Sequence, residues 1–299
     1  LIYLSIKLIP FMKKEILLLA LLPMTMQEGI SLSPDAMTIG CSFLLLSYVL
    51  YLKNDKEKKI TNKEFALLSI ISIVLSLCKI VYLPICLLLF LIPKEKFNSK
   101  KDKIIKIVGL AIFVIIINII WIKVASRFLE YDIRPGVNTS DQITFILHYP
   151  IEYIKVMGST TLHFGRYFVF SALGSNLELL DLLIAKKYLL INIIFTILLL
   201  FVDKNVKLEK KNKLMFLFIS LSTILLIYTS IYLQWNPVGN SIIEGLQGRY
   251  FMPLLPLILL LFAGIKYNKK IASQINKYLY TFILFQSFYV LTIILFNNL

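Results

Sequence analysis

Long apolar runs separated by short lysine-rich stretches set the pattern of this chain. Apolar runs at 16–26, 36–52, 104–121, 188–202, 214–233, 250–265 and 278–296 alternate with connectors, and the connectors at 13–14, 53–63, 94–106, 204–213 and 266–277 are rich in lysine. A helix needs about 20 apolar residues to cross about 30 Å of hydrocarbon, so runs of this kind predict membrane helices entering and leaving in turn. The stretch 65–92 carries Lys79 as its only charge and reads either as one kinked span or as two short antiparallel helices. A single span would put Lys94, Lys96, Lys100, Lys101, Lys103 and Lys106 on the outer side, against the positive-inside bias. Two passes keep them inside. Each arm would then be about 13 residues, roughly 20 Å at about 1.5 Å per residue, too short to cross unless the hairpin sits within protein with Lys79 at its outer turn.

The expectation is therefore an all-α integral membrane protein, a polytopic helical bundle of about nine membrane passes including one short helical hairpin. Residues 1–299 form one membrane domain with a large outer loop at about 123–187, of which 145–173 is expected to lie along the interface.

Composition agrees with the pattern. With 58% hydrophobic residues and a mean hydropathy of +0.80, too little polar surface remains to cover a soluble globule. Thirty-two Lys and Arg against 17 Asp and Glu give a net charge of +15, which in a soluble protein would suggest nucleic acid. Here the five connectors above hold 22 of those 32 basic residues, whereas the outer segments balance. Lys79, Lys123, Arg127, Arg134, Lys155, Arg166, Lys186, Lys187 and Arg249 stand there against Glu28, Asp35, Glu130, Asp132, Asp141, Glu152, Glu178, Asp181 and Glu244. No basic helix, aromatic-basic interleaving or phosphate loop accompanies the charge, so nucleic acid is not an expected partner and membrane lipid is. Cys41, Cys78 and Cys86 lie within apolar runs, as packing residues do. The chain opens on Leu1 in what reads as the tail of an apolar segment, so a truncated start is expected.

Three outer segments combine polar residues with helix ends. In QEGISLSPD (27–35), Ser33, Pro34 and Asp35 suit the start of a helix, and Glu28 with Asp35 also suits a metal or a sugar hydroxyl. Lys79 in CKIVYLP is costly inside an apolar run, so it either snorkels to the interface or serves a ligand such as a lipid phosphate. In QWNPVGNSIIEGLQGRYFMP (234–253), glycines allow close backbone approach. Arg249 at the start of an inward helix makes either an anion site or an interfacial anchor beside Tyr250. Tyr82, Gln247 and Tyr250 flank these charges and complete the candidate substrate-binding set of Glu28, Asp35, Lys79, Tyr82, Gln247, Arg249 and Tyr250. His148 and His163 lack ligand-like spacing, and no nucleophile elbow or ATP loop is present.

The succession LLPMTMQEGISLSPDA (21–36), LCKIVYLP (77–84) and GLQGRYFMPLLPL (245–257) resembles an uncharacterised family of bacterial multi-pass membrane proteins, a domain of unknown function whose members look like relatives of the GT-C glycosyltransferases. The resemblance implies a GT-C-like fold. It also implies transfer of a sugar from a polyprenyl-phosphate-linked donor at the outer face of the cytoplasmic membrane, in cell-envelope glycan assembly. Lys79 and Arg249 would hold the carrier phosphate, and Glu28 and Asp35 the sugar or an optional divalent metal. GT-C enzymes carry a catalytic acid in the loop after their first helix, and no acidic pair stands in a corresponding place, so the catalytic residue is expected upstream of Leu1. The competing expectations are a transporter or flippase of lipid-linked glycans, for which matching broken helices would be the sign, and a non-catalytic membrane scaffold.

Overall fold

The computed structural model describes the chain except residues 56, 129–133, 178–181, 185, 203–207, 265–266 and 298–299. Glu130, Asp132, Glu178 and Asp181 of the outer charge balance, and Lys56, Lys204, Lys207 and Lys266 of the basic connectors, lie outside the described residues, as do the side chains of Lys186 and Lys187.

The α-helices in chain order are α1 (Ile2–Leu8), α2 (Lys13–Ala20), α3 (Pro23–Ile30), α4 (Pro34–Asn54), α5 (Asn62–Cys78), α6 (Lys100–Ala125), α7 (Thr139–His148), α8 (Pro150–Leu173), α9 (Lys186–Leu199), α10 (Lys210–Trp235), α11 (Leu255–Phe262) and α12 (Lys269–Asn297). Two longer 3-10 segments, Ile80–Leu91 and Gly248–Leu254, interrupt this α-helical order. A pair of two-residue strands, Asn176–Leu177 and Leu182–Leu183, is the only sheet among the described residues. Among the described residues three helices, α4, α6 and α10, are long and apolar enough to cross a bilayer, and the chain is a predominantly helical membrane protein.

Helix α4 is the centre of the bundle. Its spanning window is 83% buried against 22% for α6 and 33% for α10, so α4 packs against protein on every side while α6 and α10 keep apolar faces outward. Ser33 starts α4 by accepting a hydrogen bond from Asp35 N (3.1 Å), with Pro34 at the first helical position.

The run at 16–26, expected as one span, is two helices. Pro23 opens α3 and brings no N–H to an intrahelical bond, leaving carbonyls free at the preceding turn. Thr25 Oγ1 donates to Leu19 O (2.6 Å) and Gln286 Nε2 from α12 donates to Leu21 O (2.7 Å), so side chains take over where the backbone ladder stops.

Residues 62–91 fold back on themselves. Ile60 N donates to Lys96 O (2.8 Å), which brings both lysine-rich connectors to the same end, and Lys79 forms the bend with an extended backbone. The arms differ in residue number but agree in length. Seventeen residues of α5 at about 1.5 Å span about 26 Å, and 12 residues of 3-10 helix at about 2.0 Å span about 24 Å.

At the lysine-rich end, lysines cap helix ends. Lys96 Nζ donates to Asp55 O after α4, Lys103 Nζ to Phe90 O (3.0 Å) and Ile92 O (2.6 Å) at the end of the 3-10 arm, and Lys213 Nζ to Ala263 O (2.7 Å) after α11. Unpaired carbonyls at these C-termini carry partial negative charge, which cations satisfy.

Candidate functional site

At the other end of α4, four segments bring charges together. Glu28 lies in the last turn of α3, Asp35 in the first turn of α4, Lys79 at the bend between α5 and the first 3-10 segment, and Arg249 at the start of the second. Arg249 Nη1 donates to Glu28 Oε1 (3.1 Å), Arg249 Nε lies 3.7 Å from Asp35 Oδ2, and Lys79 Nζ bonds Asp35 Oδ1. Charges alternate in the order Glu28, Arg249, Asp35, Lys79, so the cluster is neutral.

Burial is unequal. The carboxylate side chains keep 1% and 4% exposure, whereas Lys79 and Arg249 keep 26% and 30%. The carboxylates are thus the inner layer and the cations the outer one. Two buried carboxylates would be prohibitive to desolvate unpaired, and Asp35 is further oriented by a serine, while the Ser31 hydroxyl donates to the Glu28 backbone carbonyl (2.9 Å). Ser31 Oγ lies 3.4 Å from Glu28 Oε2, and Ser33 Oγ donates to Asp35 Oδ2 (3.1 Å). Arg249 Nε makes no hydrogen bond, so one donor of the fork remains unused. Both cations lie over the Tyr250 ring, Lys79 Nζ at 4.8 Å and Arg249 Cζ at 5.6 Å from its centroid. Tyr82, fully buried, donates through its hydroxyl to Tyr250 O (2.8 Å) and ties the two 3-10 segments together.

Of the sequence-derived set, Glu28, Asp35, Lys79, Tyr82, Arg249 and Tyr250 converge here. Gln247 does not join them; it lines a separate hollow with Phe164, Tyr167 and Glu244. Ser33 caps α4 as the helix-start reading of the 27–35 segment expects, while Asp35 turns its carboxylate to Lys79. Glu28 and Asp35 face Arg249 and Lys79, and no three His, Cys, Asp or Glu side chains gather among the described residues.

A hollow of about 250 Å³ opens beside Lys79; Lys79, Tyr82, Tyr250, Ser230 and Gln234 stand in its wall among Ile227 and Ile231, so the wall is largely apolar. It shares Ile80 and Val81 with a larger apolar furrow of about 520 Å³ that runs between the first 3-10 segment, α6 and α10. Sequence reasoning passed over Ser230 and Gln234, although a readable signal existed. The two polar residues are four apart in the apolar run of α10 and so share a helical face.

Among known families, residues 1–258 match the profile described as "Predicted membrane protein (DUF2142)". No curated protein and no solved structure matches the chain.

Proposed function

The chain belongs to the DUF2142 family of predicted membrane proteins, and from that premise we propose that it is a glycosyltransferase using a polyprenyl-phosphate-linked sugar at the outer face of the cytoplasmic membrane, in cell-envelope glycan assembly. The observation that carries the reading is the Lys79 ammonium in the wall of a hollow that adjoins the apolar furrow at Ile80 and Val81. A ligand filling both is charged at one end and hydrocarbon along its length, which describes a lipid phosphate. Lys79 supplies donors for phosphate oxygens and the partly exposed Arg249 guanidinium adds charge beside it, its Nε staying buried toward Asp35; the exposed faces of both cations admit such a ligand without exposing the carboxylates.

In this reading, Lys79 and Arg249 stabilise charge that gathers on the phosphate as its bond to the anomeric carbon breaks. Glu28 and Asp35 hold the two cations at that place, and because both are committed to ion pairs we assign the role of base to neither. Basic connectors remain cytoplasmic, and about nine passes in a GT-C-like bundle, with 62–91 as the hairpin, set the cluster outside.

The test is transfer of labelled sugar from a polyprenyl-phosphate donor by membranes containing each variant. Lys79→Ala is expected to abolish transfer while membrane insertion is retained, and Lys79→Arg to restore part of it. Wild-type transfer in the Lys79→Ala variant would end the reading. A second reading, lipid-linked glycan flipping, is favoured by the meeting of two non-α-helical segments at the site, as broken helices do in transporters. Movement of intact donor across reconstituted vesicles, with no sugar released from it, would select that alternative.

A further inference from the structure

The reading above leaves Gln247 and the aromatic face of α8 without a role. Residues 243–248 are tied to α8 at two points: Ile243 N donates to Thr160 Oγ1 (2.9 Å) and Gly248 N to Ser171 Oγ (3.3 Å). Those two anchors lie roughly 16 Å apart along the helix, about three turns, so residues 244–247 cross between them as an arch. Its upstream foot is fixed by buried Asn236, whose Oδ1 accepts from Glu244 N (2.7 Å) and whose Nδ2 donates to Glu244 O (3.2 Å). Glycine sets the closeness at both ends. Gly245 has φ +84° and a Cβ there would lie 2.4 Å from the Trp235 ring, while a Cβ on Gly248 would lie 2.2 Å from Ala172 N.

Beneath the arch is a hollow of about 390 Å³. Phe164, Tyr167 and Phe168 form its floor, with ring centroids 6.2 Å (Phe164 to Phe168) and 6.0 Å (Tyr167 to Phe168) apart, and Glu244 and Gln247 form its polar rim. Arg134, 4.0 Å from Glu244 and stacked on Trp235 at 3.9 Å, offsets the carboxylate charge. An aromatic floor presents the negative faces of its rings to polarised C–H groups, and a carboxylate with an amide accepts and donates to hydroxyls. The small neutral molecule that offers a C–H face on one side and hydroxyls around its edge is a pyranose.

We propose that this hollow binds a saccharide unit of the acceptor glycan, stacked on Tyr167 and Phe164 and hydrogen-bonded by Glu244 and Gln247. Its role as acceptor site rests on the transferase reading; its affinity for saccharide does not. The arch continues into Arg249 two residues after Gln247, so one anchored segment joins the hollow to the ion cluster.

The experiment uses the full chain in lipid nanodiscs with Trp121→Phe, leaving Trp235 against Gly245 as the fluorescent reporter of the arch. Cellobiose, maltose and N,N′-diacetylchitobiose are the saccharide probes, and citronellyl phosphate probes the Lys79 site in the same samples. At least one disaccharide is expected to saturate the Trp235 signal. Tyr167→Ala and Gln247→Ala should each weaken it at least tenfold, Tyr167→Phe should leave it within about threefold, and all three variants should keep wild-type citronellyl phosphate affinity, which shows that they are folded. Absence of saturation with every disaccharide, or saturation indifferent to Tyr167→Ala, overturns the inference. Loss of citronellyl phosphate binding in the unsubstituted protein, with disaccharide binding intact, instead removes the lipid-phosphate reading and with it the name acceptor.

Discussion

Arg249 and Lys79 are not equivalent residues even though both are cations in one cluster. Glu28 is fully buried, and Arg249 is its one ion-pair partner among the described residues, so Arg249→Ala leaves a carboxylate uncompensated in the interior. Removing one partner of a buried pair costs about 3–5 kcal/mol, with the lower figure apt here because Arg249 is partly exposed. Arg249→Ala is therefore expected to lower the yield of folded protein in detergent, whereas Lys79→Ala, which leaves Asp35 with Ser33 and Arg249, is expected to purify normally; equal yields would contradict this ordering. Gly248→Ala is expected to fold poorly for a different reason, since its methyl would meet the α8 backbone, which cannot move aside as a side chain can. The members of the cluster were legible in the sequence because a charge in an apolar run is conspicuous. Their pairing was not. Glu28 and Arg249 are 221 residues apart and Asp35 and Lys79 are 44 apart, and no local periodicity encodes such contacts. Gln247, grouped with Arg249 by adjacency, faces another hollow because it precedes the 3-10 segment with extended backbone (φ −125°, ψ 147°), whereas Arg249 lies inside it.

Among the elements, those built on local signals followed the sequence closely: α4, α6 and α10 fall on the runs at 36–52, 104–121 and 214–233. Elements that departed are those where a proline or a bend makes distant partners decisive. Pro23 divides the first run, and Pro84 and Pro253 lie within 3-10 segments that apolar periodicity alone does not distinguish from α-helix. The start of α5 is local and tests locally. Thr61 and Glu64 form a reciprocal cap, and Thr61→Ala is expected to cost about 1 kcal/mol in unfolding measurements. The Glu64 carboxyl is held below its ordinary value of 4.5, first by the Thr61 hydroxyl and also by the Thr61 N–H and by Lys58 at 3.2 Å. A depressed carboxylate stabilises the fold above its unfolded value and loses that contribution as pH falls through the folded one. Amide exchange at residues 61–65 is accordingly expected to accelerate as pH falls from about 4.5, once the intrinsic pH dependence of exchange is removed, and Glu64→Gln should flatten the change. An unchanged profile in that variant would show that another group governs it.

For the whole molecule, the proposed sidedness makes the sharpest forecast. Single cysteines at Asp55 or Lys101 in a background without Cys41, Cys78 and Cys86 should resist a membrane-impermeant maleimide applied from outside, and a cysteine at Ser241 should react. Reaction at the first two without the third would invert the arrangement. The overall class was legible because apolar runs and lysine connectors are long-wavelength features of composition. The cavities were not, because each is walled by residues from two or three segments far apart in the chain. Helix α4, enclosed on every side, gives the ion cluster a mechanical asymmetry. Asp35 is fixed to the end of a post that cannot tilt without disturbing the core, while Lys79 and Arg249 stand at the starts of two 3-10 segments that are themselves packed into that core. Only the outer ends of the two cationic side chains reach solvent. An occupant that draws the cations toward its own oxygens therefore swings side chains, and the backbone stays put.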